Sequence, residues 1–156
     1  GREAVGPLSA AVKDESIEVR ETAVWALGQI EDPAAAGALA GALKDARADV
    51  RQKAAWALAQ LDELRTAPPA LIEALRDEDR NVRLSAAHAL GEIEDAASVP
   101  ALREAARGDD ATLPKTAVRA LAEIDDPAAF DALVEMLQDD DPEVRRMAAQ
   151  ALGRNR

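Results

Sequence analysis

The chain contains no cysteine and no tyrosine, and its only histidine is His88. The lack of cysteine excludes disulfides and thiolate zinc sites. With a single histidine, a transition-metal site would have to be built almost wholly from carboxylates. Aromatic residues are nearly absent as well, since the chain has only Trp25, Trp56 and Phe130. We therefore expect neither a metal site nor a bound cofactor.

The sequence also lacks the features of proteins that bind membranes or nucleic acids. Its longest Ala/Gly/Leu-rich stretch, residues 34–43, is far shorter than the ~20 residues that a membrane-spanning helix needs. The formal net charge is −11, from 19 basic and 30 acidic residues. This charge disfavours binding to phosphate backbones and anionic lipids. No signal-peptide pattern opens the chain, so we favour a cytoplasmic location.

A unit of about 31 residues repeats five times along the sequence. Two apolar columns keep the same spacings of 31, 32, 31 and 31 residues. The columns are Val19, Val50, Val82, Leu113 and Val144, and Leu8, Leu39, Leu71, Leu102 and Leu133. Such self-similarity is typical of a solenoid. We expect a single domain over residues 1–156, with units one to five at about 1–31, 32–63, 64–94, 95–125 and 126–156.

Each unit predicts a pair of helices. In the second half of unit one, five apolar residues fall within an arc of about 100° when plotted at the helical period. They are Val19, Ala23, Ala26, Leu27 and Ile30. The first halves show the same spacing, and no alternating strand pattern occurs. The fold class predicted is therefore all-α, a right-handed α-solenoid (superhelix) of five two-helix repeats and ten helices.

Aspartates mark the starts of several second helices. Side chains of this type cap helix N-termini, and the caps here stand 31 residues apart, at Asp79, Asp110 and Asp141. In unit four, Pro114 follows the cap and would remove a hydrogen bond of the first helical turn. The second helix of that unit should therefore begin late, near Thr112 or Leu113.

Aspartate and arginine recur together six residues apart across the turn between the two helices of a unit. The pairs are Asp14 and Arg20, Asp45 and Arg51, Asp77 and Arg83, and Asp139 and Arg145. In unit four both residues are replaced, by Gly108 and Pro114. We interpret each aspartate and arginine as partners that interact with each other, and the series of pairs as a ladder that links adjacent units. Restoring both in unit four should then stabilise more than the sum of the single changes.

The candidate binding face is a stripe on the second helices, opposite the apolar arc. Its residues differ between units, whereas the framework columns barely change. One row reads Trp25, Trp56, His88, Arg119 and Gln150, and its neighbours include Thr22, Lys53, Gln29, Gln60, Glu92 and Glu123. Two tryptophans on adjacent units are suited to be binding hot spots. The alternative is that they fill a groove between helices, since tryptophan is usually well buried.

The repeat resembles the short HEAT-like repeats named after phycobilisome lyases. The similarity is carried by Ala-Leu-Lys-Asp at 42–45, Ala-Leu-Arg-Asp at 74–77, and Val-Arg-x-x-Ala-Ala-x-Ala-Leu-Gly at 82–91 and 144–153. It covers essentially the whole chain and implies that the second helices line the concave side. Relatives of this kind include chromophore lyases, DNA glycosylases, deoxyhypusine hydroxylases and plain interaction modules.

The enzymatic branches require residues that this sequence lacks. The hydroxylases need His-Glu pairs in several repeats, but His88 is followed by Ala89. The glycosylases need a basic concave face, which the net charge does not supply. The serines, such as Ser85, are isolated and have no evident base partner. We therefore expect no catalytic residue and no enzymatic activity.

The function predicted is a non-enzymatic module that binds a protein or peptide through the stripe. Three alternatives stay open: a regulatory or sensor segment of a larger enzyme, a lyase-type subunit that handles a chromophore, and an engineered repeat scaffold. The terminal units lack evident polar caps, which solenoids generally need. We therefore expect either a segment of a longer protein or end-to-end association through an exposed apolar flank.

Overall fold

The computed structural model describes residues 1–108 and 110–154. This part of the chain contains ten α-helices and no strand. The helices are α1 Val5–Ala11, α2 Ile17–Ile30, α3 Ala36–Ala42, α4 Ala48–Gln60, α5 Pro69–Glu73, α6 Arg80–Ile93, α7 Val99–Ala105, α8 Leu113–Glu123, α9 Pro127–Met136 and α10 Pro142–Arg154. The all-α solenoid class and the count of ten helices are confirmed.

The helices form two layers. The second helices pack in chain order, α2 on α4, α4 on α6, α6 on α8 and α8 on α10, and the first helices form the other layer. Most first helices are short and adjoin a 3₁₀ turn, as at Pro33–Ala35, Ala74–Arg76 and Ala96–Ser98. No helix in the described part is long and apolar enough to cross a membrane.

The core lies between the two layers and is formed by the framework columns. Leu39, Leu71, Leu102 and Leu133 are fully buried, and so are Val50 and Val82. Leu8 is only half-buried, and Val19 is 40% exposed, although the apolar arc predicts it in the core. Val19 lies in unit one, where no preceding unit is present among the described residues to pack against it.

The helix caps follow the predicted aspartates. Asp79 accepts hydrogen bonds from the backbone N–H groups of Asn81 and Val82, at 2.8 and 3.1 Å. Arg47 makes no side-chain cap at the start of α4, as its chemistry suggests. In unit four, α8 begins at Leu113, whereas the spacing from the start of α6 would place it at position 111. Pro114 then occupies the second helical position, where an N–H would have no intrahelical partner.

The interpretation of the six-residue pairs is corrected in one respect. The arginine does not bind the aspartate side chain of its own unit. Arg51 donates from Nη1 to the backbone carbonyl of Asp45 at 2.9 Å, and from Nε to the carboxylate of Asp77 in the next unit, also at 2.9 Å. A ladder between units does exist, with Arg20 bound to Asp45 and Arg83 to Asp110.

Candidate functional site

The eleven stripe residues nominated from the sequence all reach the surface. Trp25, His88, Arg119, Gln150, Thr22, Gln29, Glu92 and Glu123 are exposed, and Trp56, Lys53 and Gln60 are half-buried. They lie on the adjacent second helices α2, α4, α6, α8 and α10. Because these helices pack side by side in chain order, the stripe runs along one layer of the solenoid.

The two tryptophans occupy different environments. Trp25 is 52% exposed, the largest fraction for any of the exposed large apolar side chains. Trp56 is half-buried and packs against the core, with its indole over Gly28 of the preceding second helix. A Cβ atom on Gly28 would lie 2.8 Å from Cζ3 of Trp56. Trp56 therefore uses the space that the glycine leaves, while Trp25 presents most of its ring to solvent.

Acidic side chains surround the tryptophan end of the stripe. Lys53 on α4 pairs with Glu21 on α2 at 3.0 Å, which bridges the first two second helices. The Ser16 hydroxyl donates to Glu18 at 2.8 Å, and this hydrogen bond lowers the pKa of Glu18 below its ordinary value. This end of the stripe therefore carries two carboxylates, of Glu18 and Glu21, and the ammonium group of Lys53.

The other end of the stripe forms a groove of about 440 Å³ across α6, α8 and α10. Five of the eleven stripe residues line it, His88, Glu92, Arg119, Glu123 and Gln150. Thr116, Met147 and Arg154 line it as well, at the positions of units four and five that correspond by the repeat spacing to Ser85, Thr116 and Glu123 of the preceding units. Its lining also includes the small residues Gly91, Ala120 and Ala151, and α6 and α8 approach closely where Gly91 meets Ala120. The sequence brings these positions together because each belongs to a column with the repeat's own spacing.

The groove is more basic than the chain as a whole. Its lining carries three arginines, Arg119, Arg146 and Arg154, and two glutamates, Glu92 and Glu123. The formal net charge of the whole chain is −11. The groove therefore has a small excess of positive charge within an acidic protein.

Arg146 is the groove residue that the sequence reasoning missed. It donates from Nε to Glu143 at 3.0 Å, and this hydrogen bond lowers the pKa of Glu143 and raises that of Arg146. Arg146 stands one residue before Met147, in a column that also contains Lys115. The sequence does contain an indication of Arg146 as a groove residue, because its column changes from an acidic residue, Glu21, in unit one to a basic residue, Arg146, in unit five.

Two polar side chains of the groove make contacts within their own helices. His88 lies 4.0 Å from Glu92, one helical turn away on α6, with both side chains exposed. The Thr116 hydroxyl donates to the backbone carbonyl of Thr112 at 3.2 Å, as helical threonines often do. Among the residues that the structure describes, no group of three or more histidine or acidic side chains is placed to hold a metal ion.

These features define a class of protein, an α-solenoid of helical hairpins with a variable face on its second helices. A family model described as HEAT repeats matches residues 1–59, 37–115 and 105–156, which together span the chain. The chain therefore belongs to the HEAT-repeat family. A search of curated protein sequences finds no significant match.

Solved structures share this fold. A chain of the CpcE and CpcF complex of phycocyanin lyase from Nostoc sp. PCC7120 is 27% identical, with a TM-score of 0.75 over 95% of this chain. The match spans 63% of that lyase chain. An engineered protein is 25% identical, with a TM-score of 0.69, over 94% of this chain and 77% of its own.

A designed armadillo repeat protein in complex with the peptide (KR)4 is 22% identical, with a TM-score of 0.68. That match covers 97% of this chain and 81% of the designed one. At this level of identity the likeness establishes the fold alone. Repeat proteins of this fold commonly bind proteins or peptides, as the two complexes illustrate.

Proposed function

We propose that this HEAT-repeat module is a non-enzymatic protein that binds an extended peptide segment of a partner along its stripe. The observation that carries the proposal is the contrast between columns. The framework columns are nearly constant and mostly buried, whereas the stripe columns vary, reach solvent and line the groove. The exposed stripe residues can differ between units without disturbing the core, so they are free to be selected for recognition. Aromatic and arginine side chains are also the types most often found at binding hot spots.

The difference in charge between the two ends of the stripe determines the orientation in which a peptide would bind. An apolar or cationic side chain would contact Trp25, where Glu18 and Glu21 lie nearby on the same helix. Acidic groups would occupy the groove at Arg119 and Arg154. Neighbouring helices pack about 8–10 Å apart, so three steps from unit one to unit four span about 30 Å. An extended peptide covers this distance with about nine residues.

A selection experiment tests the proposal without a known partner. A display library of random twelve-residue peptides would be panned on the immobilised protein, and the enriched peptides would be synthesised. We expect acidic residues at one end and an apolar or basic residue about nine positions away. Arg119→Glu should weaken binding at least tenfold, and Trp25→Ala should weaken it as well.

The matched control is Arg65→Glu, which makes the same charge change at an exposed residue between units two and three, away from the stripe. Its affinity for the selected peptides should equal that of the unaltered protein. Two results would contradict the proposal: no enrichment above the library background, or enriched peptides that bind Arg119→Glu and Trp25→Ala with unchanged affinity.

A lyase-type role is the second candidate, and the likeness to the CpcE and CpcF complex favours it. Under this alternative the groove would hold a chromophore rather than a peptide. The test is an absorbance titration of the purified chain with the chromophore of phycocyanin. A spectral shift that Arg119→Glu removes would support this role, and an unchanged spectrum would exclude it for the isolated chain.

A further inference from the structure

One ion pair of the arginine and aspartate ladder is missing between two described units. In units one to three an arginine binds a carboxylate of the following unit, in the pairs Arg20 with Asp45, Arg51 with Asp77 and Arg83 with Asp110. Unit four has Pro114 at the arginine position, so it supplies no guanidinium group to unit five. Asp139 of unit five, which belongs to the column of Asp45 and Asp77, forms no ion pair among the residues that the structure describes.

The Asp139 carboxylate is oriented like the carboxylates that do bind arginine. Its Oδ1 atom accepts the N–H of Asp141, two residues further along, at 2.8 Å. Oδ1 of Asp45 and of Asp77 accepts the corresponding N–H at 2.9 Å, and Oδ2 of each accepts an arginine Nε, at 2.8 and 2.9 Å. Within the described chain, no residue donates to Oδ2 of Asp139. The carboxylate is thus held in place by one oxygen, and little ordering would be needed to bind a donor at the other.

A cavity of about 300 Å³ lies beside this carboxylate, at the turn between α9 and α10. Its lining is Arg107, Glu135, Met136, Gln138, Asp139 and Asp140. The first five of these correspond, three repeats earlier, to residues that line a cavity between units one and two, namely Lys13, Gly41, Ala42, Lys44 and Asp45. The guanidinium group of Arg20 also lines that earlier cavity, and its counterpart three repeats later is Pro114. The two cavities therefore occupy the same place in the repeat, and only the first contains the arginine of the ladder.

The charges around the cavity favour a cation. Arg107 pairs with Glu135 at 2.7 Å, so the positive charge in the lining is already matched. Asp139 and Asp140 carry the remaining charges, both negative. Opposite charges at this distance attract a cationic group into the cavity.

The geometry of the internal pairs favours a guanidinium group in particular. Arg51 donates to Asp77 through two nearly parallel hydrogen bonds, from Nε to Oδ2 at 2.9 Å and from Nη2 to Oδ1 at 3.0 Å. A planar guanidinium group matches a carboxylate in this way, whereas an ammonium group has no such fork.

We propose that Asp139 binds a guanidinium group from outside the chain, namely an arginine side chain of a partner protein. The bound group takes the place that the arginines of units one to three occupy at the other joints. These three pairs show which group a carboxylate at this position of the repeat binds in this protein. No residue of the cavity lines the groove of the stripe, so the proposal goes beyond peptide binding there and does not depend on it.

The test is an NMR titration of the full, isotope-labelled chain with acetyl-arginine-amide, which carries the guanidinium group but no carboxylate. We expect a saturable shift of the Asp139 carboxyl carbon and of the Asp141 N–H. Acetyl-lysine-amide at the same ionic strength should bind at least fivefold more weakly, because an ammonium group does not form the paired hydrogen bonds. The exposed carboxyl of Asp131 on α9 is the internal control and should shift little with either compound.

Three variants make the assignment specific. Asp139→Asn keeps an acceptor for the Asp141 N–H but removes the charge, so the saturable shift should be lost. Pro114→Arg supplies a guanidinium group from unit four and should also abolish the shift, with the circular dichroism spectrum retained. Arg20→Ala opens the corresponding place at Asp45 and should add a second saturable shift there.

The source of the guanidinium group is tested with free L-arginine. Its α-carboxylate is repelled by Asp140, so it should bind more weakly than acetyl-arginine-amide, and tighter binding would overturn the assignment to a side chain of a partner. The absence of a saturable shift at Asp139, equal shifts at Asp139 and Asp131, or equal affinity for the arginine and lysine compounds would each overturn the proposal. None of the variants alters the groove of the stripe, so the outcome is independent of peptide binding.

Discussion

Arg51 on α4 donates from Nε to the Asp77 carboxylate at 2.9 Å, and from Nη1 to the carbonyl of Asp45 at the same distance. One guanidinium group thus ties the turn of unit two to the turn of unit three. Asp77 in addition accepts the Asp79 N–H at 2.9 Å, so it braces the start of α6. The ion pairs between these arginines and aspartates therefore hold successive units together.

The first prediction is that Arg51 and Asp77 act as a coupled pair. Arg51→Ala and Asp77→Ala should each destabilise the fold, and a double-mutant cycle should give a coupling energy of about 1–3 kcal/mol. The measurement is urea unfolding followed by circular dichroism. Arg51 and Asp131, an exposed residue on α9, form the control cycle: they lie in units two and five and share no partner, so the effects should add.

The ladder also changes the expectation for unit four. A carboxylate introduced by Gly108→Asp would face Arg83 from unit three, and a guanidinium introduced by Pro114→Arg would face Asp139 of unit five. The two new groups would not bind each other. We therefore expect Gly108→Asp and Pro114→Arg to be additive in the free energy of unfolding. If the double variant were stabilised by more than the sum of the single changes, this would show that the two residues six positions apart bind each other directly.

The second prediction concerns acid sensitivity. The N–H groups of Thr112 and Leu113, together with Arg83, lower the pKa of Asp110 from 3.8 to about 2. A carboxyl whose pKa is lower in the folded state stabilises the fold above its unfolded pKa and loses this effect as the pH falls through the folded value. The melting temperature should therefore fall between about pH 4 and pH 2.

The variant Asp110→Asn isolates this carboxyl, because the amide oxygen still accepts from the Thr112 N–H but does not titrate. Its melting temperature at neutral pH should lie below that of the unaltered protein, and its decline in acid should be shallower. Asp131→Asn, an exposed site on α9, is the control and should follow the unaltered curve. Parallel acid curves for Asp110→Asn and the unaltered protein would refute the assignment.

The third prediction concerns the glycines of the second helices. A Cβ on Gly91 would lie 3.0 Å from the Ala120 Cα, a backbone atom that cannot move aside cheaply. Gly91→Ala should destabilise the fold, because overpacking costs about 1–3 kcal/mol and helix propensity returns about 1 kcal/mol. Gly41→Ala is the matched change in the last turn of α3, where nothing lies within 4 Å. It should be stabilising by up to about 1 kcal/mol.

The fourth prediction separates the two tryptophans. Trp25→Ala should change the free energy of unfolding by no more than about 0.5 kcal/mol, as for other exposed sites. Trp56→Ala should cost more, but less than the 3–5 kcal/mol typical of a fully buried aromatic residue, so about 1–3 kcal/mol. Emission provides a second measurement, because no tyrosine contributes to the spectrum.

Single-tryptophan variants make the emission test specific. Trp56→Phe leaves Trp25, whose emission should be red-shifted and readily quenched by acrylamide. Trp25→Phe leaves Trp56, whose emission should be bluer and quenched less. Equal quenching of the two variants would show that Gly28 does not shelter the Trp56 ring.

The fold could be predicted from the sequence because the residues of each repeat column have the same structural role in every unit. The spacing of Leu39, Leu71 and Leu102 marks the core, and Pro114 with its cap Asp110 predicts the late start of α8. The partner of each arginine could not be predicted so simply. The repeat spacing relates Asp45 to Arg20 as well as to Arg51. Only the packing of the units determines which of the two arginines binds the Asp45 carboxylate.

The candidate site could be predicted in part. Helical periodicity places the stripe residues on one face, and the structure gathers those of units three to five in a single groove. The sequence does not indicate that the groove forms there rather than at Trp25 and Trp56. That difference depends on side-chain volume, since the Trp56 indole occupies the space over Gly28, whereas Gly91 contacts Ala120 directly.

The most direct test of the stripe as a binding face is an amide and methyl chemical-shift map of the isotope-labelled protein with a selected acidic peptide. We expect the largest shifts at His88, Arg119, Met147 and Gln150, with further shifts extending to the indole N–H of Trp25. Resonances of the first helices α3 and α7 should move little. Shifts concentrated on the first helices or on the turns, with the groove residues unmoved, would show that the stripe is not the binding face.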